Sequence, residues 1–104
     1  MNEEYELILC IVNAGHSQIV MEAATKAGAR GGTIIRGRGT ADPEAEQFFH
    51  LTVQPDKEIL LILVQKDIKD AVLRAVHHEA GLDRESQGIA FSLPVDQAVG
   101  LSEG

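Results

Sequence analysis

Six consecutive aliphatic residues, residues 59–64 (ILLILV), are the feature of this sequence that most limits its possible folds. An apolar run of this length is typical of a β-strand that is buried on both faces. Because side chains of a strand alternate between its two faces, three large aliphatic side chains point to each side. Any fold of this chain must therefore cover both faces of this strand.

The segments before the loop at residue 36 predict a strand–helix–strand unit. Residues 5–12 (YELILCIV) are an apolar strand, and Asn13-Ala14-Gly15 ends it. A helix follows from Ser17, with Gly28 expected at its C-terminal cap, and residues 33–35 form the next strand. The apolar stripe predicted for this helix consists of Ile19, Val20, Ala23, Ala24 and Ala27.

The middle of the chain predicts an exposed loop. Residues 36–47 (RGRGTADPEAEQ) contain two glycines and a proline and have no apolar periodicity. Residues 48–53 are strand-like again, and Pro55-Asp56 separates them from the run at 59–64. The pattern leaves open whether these two segments form one bent strand or a hairpin.

The remainder of the chain completes a second unit of the same order. A helix opens at Asp67 and ends at Gly81, and residues 88–94 form the last strand. The stripe predicted for this helix consists of Ile68, Ala71, Val72, Ala75 and Val76.

Two strand–helix–strand units predict an α+β, ferredoxin-like βαββαβ fold, with a four-stranded antiparallel sheet and both helices on one face. At 104 residues the chain has room for one domain, which we assign to residues 1–104. Two helices cover only one face, so the second face of the run at 59–64 needs another cover. We expect a second copy of the chain there and predict a homo-oligomer; cover by the C-terminal tail is the alternative.

Charge and cysteine content narrow the classes of partner. The formal net charge of −7 argues against a nucleic-acid partner, because phosphate backbones are bound by basic surfaces.

Cys10, the single cysteine, lies in an apolar run and is expected to be a buried small hydrophobe in a reducing compartment. No apolar run approaches the roughly 18 residues of a membrane span, and the N-terminus does not resemble a signal peptide. We therefore expect a cytoplasmic protein.

Three segments resemble the PII signalling family (nitrogen regulatory protein P-II). They are residues 29–39 (ARGGTIIRGRG), the strand at 59–64 with the helix that follows it, and residues 88–101 (GIAFSLPVDQAVGL). The resemblance covers nearly the whole chain in order. It implies a homotrimer that binds an adenine nucleotide as effector in clefts between subunits and signals to a protein target, such as a membrane transporter.

The resemblance also implies which segments form the cleft. The T-loop of the family corresponds to about residues 36–47 and the B-loop to about residues 81–88. Arg36 and Arg38 are two cations among glycines in an acidic chain, where an anionic ligand could use them. By themselves these residues favour a solvated turn with two surface arginines, and with the resemblance an anionic ligand is favoured. The nucleotide-binding residues predicted in this way are Ile11, Thr33, Arg36, Arg38, Gly39, Leu63, Gln87 and Gly88.

Departures from the family pattern indicate an atypical ligand. The B-loop lysine of typical members is absent from the run Ser86-Gln87-Gly88-Ile89, and their C-terminal arginine pair falls on Gly100 and Ser102. Charge-assisted contacts contribute roughly 1.5–3 kcal/mol each, so the loss of these cations weakens ATP binding. We therefore expect AMP, ADP or a cyclic nucleotide rather than ATP, and no binding of 2-oxoglutarate.

Catalytic and metal chemistry find less support in the sequence. It has no nucleophile elbow, no P-loop and no convincing carboxylate pair, so we do not expect an enzyme, and no cofactor beyond the nucleotide is implied. His77 and His78 are adjacent on a predicted helix and point about 100° apart, which does not favour chelation of one ion. A divalent-metal-binding trimer like the CutA proteins, which share the fold, is the alternative function.

Overall fold

A computed structural model describes residues 4–40, 55–82 and 88–101 of the chain. Its elements in chain order are β1 (Tyr5–Asn13), α1 (Ser17–Lys26), β2 (Thr33–Arg38), β3 (Asp56–Gln65), a short 3-10 helix (Lys66–Ile68) that continues into α2 (Lys69–Glu79), and β4 (Ile89–Val95). Within the described ranges, no helix is long and apolar enough to cross a membrane.

The four described strands form one antiparallel sheet in the order β2-β3-β1-β4. The central strands pair so that Leu9 lies opposite Leu61 and Cys10 opposite Leu60. Both strand–helix–strand units contribute one central and one edge strand, and the helices pack on one face. The predicted ferredoxin-like fold is confirmed.

The core lies between the sheet and the two helices. Alternate residues of β1 and β3 are buried beneath the helices, and so are Val20 and Ala24 of α1 and Val72 and Val76 of α2. The predicted stripes are wrong at Ile19 and Ala71, which lie at the margin of each helix and are exposed. Cys10 is fully buried, as expected, and burial raises the pKa of its thiol to about 11. The strand residues that form this core are Ile8, Cys10, Val12, Leu60, Ile62 and Val64.

Glycines end both helices as predicted. Gly28 has φ of +118° and Gly81 has φ of +65°, the left-handed region that glycine adopts without steric penalty. The backbone N–H of Ala29 donates to the carbonyl of Ala24, and the N–H of Leu82 donates to that of His77. These are the hydrogen bonds of a Schellman cap, and they reverse the chain toward the next strand.

Strand β2 corrects the predicted loop boundary. Residues 36–38 pair with residues 58–56 of β3, so the strand continues to Arg38 and the loop predicted over 36–47 begins later than expected. Gly37 and Gly39 suggested a turn in this segment. Gly37 is nevertheless part of the strand, because it pairs with Lys57 of β3. Strand β3 begins at Asp56. The predicted strand at 48–53 and the B-loop residues 83–87 lie outside the described residues.

The face of the sheet away from the helices is apolar and largely open. Four of its large side chains are 39–58% exposed, and the tail through Leu101 does not cover them. Their alternation with buried neighbours follows from the pleat of the strands. The exposed side chains are Ile35 of β2 and Ile89, Phe91 and Leu93 of β4.

Candidate ligand-binding site

The predicted site residues lie at opposite ends of the sheet. We call the end formed by residues 36–39 of β2 and residues 56–58 of β3 the basic end. We call the other end, where Leu63 lies near the end of β3 and Tyr5 begins β1, the pocket end. Leu63 lies seven positions beyond Asp56 and five beyond Glu58 in β3, which corresponds to about 16–23 Å of extended strand. A single chain therefore does not gather all the predicted residues around one ligand.

The basic end carries the two predicted arginines. Arg36 lies opposite Glu58 and Arg38 lies opposite Asp56, and both arginine side chains are exposed. The backbone N–H of Gly39 donates to the carbonyl of Pro55 at 2.7 Å, which fixes the point where the chain leaves the sheet. The structure brings Arg36, Arg38 and Gly39 together at the end of an edge strand. All three belong to the first residues of the predicted T-loop, about residues 36–47.

Lys57 is a basic-end residue that the sequence analysis missed. Its Nζ donates to Oδ1 of Asn13 at 2.6 Å, and its aliphatic stem lies against Gly39. A Cβ added to Gly39 would lie 2.9 Å from Cε of Lys57, so glycine at this position leaves room for the lysine. A lysine just before an apolar strand is a weak signal by itself. Only the pairing of Lys57 with Gly37 places it at this site.

Glu58 connects the basic end to helix α1. Its Oε1 accepts hydrogen bonds from the backbone N–H groups of Gly15 at 2.9 Å and Ser17 at 3.1 Å. Desolvation raises the pKa of this carboxyl. The hydrogen bonds from the Ser17 side chain and from these two N–H groups, together with the charge of Arg36, outweigh it and lower the pKa. Glu58 thus caps a helix whose own N-cap residue, His16, makes no side-chain cap hydrogen bond.

The pocket end contains a cavity of about 270 Å³. This volume is close to the lower end of the roughly 300–1,000 Å³ of small-ligand pockets. Leu63 was predicted here, and Thr33 lies nearby, opposite Leu61. Sequence reasoning missed the turn after α1, residues 28–31, because this turn meets the end of β3 at the cavity only in the folded chain. The lining residues include Tyr5, Ala29, Arg30, Leu63, Gln65, Ile68 and Leu101.

Ile11 and Gly88 are neighbours across the β1–β4 edge. Ile11 lies on the helix-free face opposite Ile59 and Ile89. A Cβ added to Gly88 would collide with the carbonyl oxygen of Ile11 and would approach Cγ1 of Val12 to 2.7 Å. Close backbone packing therefore requires glycine at position 88, whether or not a ligand binds. Gln87, the other B-loop residue predicted, lies outside the described residues.

Metal ligands do not converge within the described ranges. No group of three or more His, Cys, Asp or Glu side chains there is arranged to hold a metal ion. His77 and His78 are exposed at the end of α2, and His16 lies at the start of α1.

Comparison with known proteins agrees with the fold. The family model for nitrogen regulatory protein P-II matches residues 5–104. The chain belongs to the P-II family of signalling proteins, whose members regulate other proteins and are not enzymes. No curated protein matches it in sequence.

Solved structures of other proteins share the fold of this chain. Arabidopsis thaliana PII bound to citrate is 28% identical, with a TM-score of 0.65 over 90% of this chain and 77% of the plant chain. A putative PII-like signalling protein from Thermus thermophilus is 17% identical, with a TM-score of 0.67 over 89% and 87%. A Bacillus cereus protein related to NIF3 is 18% identical, with a TM-score of 0.70 over 91% of this chain but 26% of its own. Because the last two proteins are less than 25% identical to this chain, their similarity is evidence for a shared fold alone.

Proposed function

We propose that the chain acts in the cytoplasm as a regulatory homotrimer. It binds an adenine nucleotide in each cleft between subunits and transmits the bound state through its T-loop to a protein target, such as a membrane transporter. AMP, ADP or a cyclic nucleotide is the preferred effector. Family members are trimers that bind effectors and protein targets, and the plant relative bound to citrate is an example of a PII protein with a small anionic ligand.

The separation of the two half-sites is the observation that carries this proposal. The basic end offers cations for phosphate, and the pocket end offers a cavity of about 270 Å³ for a base, lined by apolar residues such as Leu63 and Ile68 and by the polar residues Arg30 and Gln65. Because about 16–23 Å of strand separates the two ends in one chain, we infer that a nucleotide contacts both when a neighbouring copy supplies one of them. The exposed apolar face of the sheet supplies a surface on which such copies associate.

Calorimetry with AMP, ADP, ATP and cyclic AMP tests the ligand. We expect binding of at least one nucleotide, with ATP weaker than AMP or ADP. Arg38→Gln should weaken binding about tenfold or more, because a charge-assisted contact to phosphate is lost. Lys26→Gln removes the same charge at an exposed lysine of α1 that belongs to neither half-site, and it should leave affinity unchanged. The absence of binding for all four nucleotides would refute the proposal.

Mixed trimers test whether the site lies between copies. Arg38→Gln impairs the basic end, and Leu63→Phe fills the cavity of the pocket end, so each variant alone should bind weakly. In an equal, randomly reassembled mixture, about one quarter of the clefts combine an intact basic end with an intact pocket end from the neighbour. We expect this fraction of wild-type binding to return. A site contained within one chain predicts no recovery.

A further inference from the structure

Each arginine of the basic end faces a carboxylate across the β2–β3 pair. Arg36 lies opposite Glu58, and Arg38 lies opposite Asp56. Residues directly opposite in an antiparallel pair have Cβ atoms about 4.5–5.5 Å apart. Both pairs are on the helix-covered side of the sheet, because Glu58 also pairs with the buried residue Val12.

The third cation at this end has a different partner. Lys57 pairs with Gly37 on the opposite side of the sheet, and its ammonium group donates to the neutral amide oxygen of Asn13. Each arginine therefore has a carboxylate at the position opposite it, whereas the lysine lies opposite a glycine. The Arg36 guanidinium acts on Glu58 strongly enough to contribute to the lowering of that carboxyl's pKa.

This arrangement affects anions in proportion to their charge. An anion that approaches Arg36 and Arg38 is attracted by these two cations and repelled by the carboxylates of Glu58 and Asp56 opposite them. Both energies grow with the charge of the anion, so the carboxylates cancel more of the attraction for a triphosphate than for a monophosphate. Unfavourable contacts of this kind determine specificity as much as favourable ones do.

We propose that Asp56 and Glu58 are specificity-determining residues that make the basic end select ligands with few phosphates over triphosphates. The inference rests on the proposed function, because it assumes that the phosphate group lies at the basic end. It adds a second reason for weak triphosphate binding. This reason lies in residues that the chain contains, and it is independent of the family's lysine and arginines that the chain lacks.

The test compares two double variants of the full chain. Asp56→Asn with Glu58→Gln removes both carboxylate charges, and glutamine keeps an oxygen that accepts from Gly15 and Ser17. Asp70→Asn with Glu22→Gln is the matched control, because it makes the same charge change at two exposed helix residues. AMP, ADP, ATP and inorganic tripolyphosphate are titrated into each protein at low and high salt.

We expect the ratio of ATP affinity to AMP affinity to rise about threefold or more in the first double variant at low salt, and to rise less at high salt because of screening. The control should keep the wild-type ratio. If nucleotides bind and the ratio is unchanged, or rises equally in the control, the inference is wrong and the proposed function stands.

Tripolyphosphate separates this result from a failure of the proposed function. If no nucleotide binds the wild-type protein, the nucleotide proposal fails, yet the charge preference of the basic end is still measurable with the inorganic anion. Tighter tripolyphosphate binding by the first double variant than by wild type and control would support the inference. Equal binding by all three proteins would overturn it.

Discussion

The two faces of the sheet differ in how completely this chain covers them. On the helix-covered face, Leu60 and Ile62 are fully buried. On the helix-free face, Leu61 and Leu63 of the same strand are only partly buried, and Phe91 and Leu93 of β4 are exposed. Neighbouring leucines of one strand thus have different environments, because the pleat directs them to opposite sides.

The difference shows that one chain covers one face of its sheet more completely than the other. On the helix-covered face the central strands are buried and Ile34 of the edge strand β2 is 48% exposed, whereas the helix-free face has exposed side chains on both edge strands and is the surface on which we propose that copies associate. The proposed site follows the same division, because we propose that its two half-sites come together between copies. Stability of the chain and assembly of the site are therefore expected to respond to different residues.

The largest expected effect comes from a charge placed on the helix-free face. Phe91→Asp should dissociate the assembly to a particle with the 11.2 kDa mass of one chain, because a carboxylate is not tolerated in an apolar interface. Light scattering after size exclusion measures the mass, and circular dichroism checks that the fold is retained. Ile19→Asp is the control, because Ile19 on α1 is 40% exposed and Phe91 is 39% exposed. An unchanged mass for Phe91→Asp would show that this face is not the interface.

The second prediction compares two neighbouring leucines of β3 that lie on opposite faces of the sheet. Leu60→Ala should lower the free energy of unfolding by about 2–5 kcal/mol, because it leaves a cavity in a closed core. Leu61→Ala removes the same atoms from the helix-free face and should lower it by less than half as much at low protein concentration. As concentration rises, only the Leu61→Ala effect should grow, because burial of Leu61 depends on association. Denaturant unfolding at several concentrations measures both. Equal effects at every concentration would contradict the distinction between the faces.

The smallest effect concerns the cap of α1. Glu58→Ala should lower the free energy of unfolding by about 0.5–2 kcal/mol at neutral pH, as expected for loss of a helix cap. The pKa of Glu58 is lowered in the folded protein, so its stabilising contribution is present above the ordinary value of 4.5 and is lost as pH falls through the lowered value. The difference between wild type and variant should therefore shrink in acid. Glu22→Ala, an exposed control on α1, should change stability by less than about 0.5 kcal/mol. A pH-independent difference would mean that the charge of Glu58 is not what caps the helix.

Much of the fold was predictable because its signals are local. The apolar runs at 5–12 and 59–64 became the two central strands, and Gly28 and Gly81 ended the helices as expected. The stripe of α1 was wrong at Ile19, since periodicity does not specify how wide a face the sheet covers. The end of β2 was misjudged because Gly37 and Gly39 are turn-forming by type, and only pairing with β3 makes Gly37 part of a strand.

The candidate site was less predictable, because it depends on residues distant in sequence. Arg36 and Arg38 were identified from their charge and their glycine neighbours. The carboxylates opposite them and the nearby Lys57 were not, because Glu58 lies 22 positions after its partner Arg36 along the chain. The cavity near Leu63 was also missed, since residues of the turn after α1, distant from Leu63 in the sequence, form part of its lining.

The sequence by itself determined the order of strands and helices, the burial of Cys10 and the presence of two cations in an acidic chain. These properties follow from alternation, helical spacing and side-chain chemistry within short segments. The tertiary structure decided which of the six aliphatic residues at 59–64 are buried beneath helices and which face outward. It also placed a carboxylate opposite each arginine and put the two half-sites at opposite ends of one sheet. Register and strand direction decide these features, and both arise only when distant segments pair.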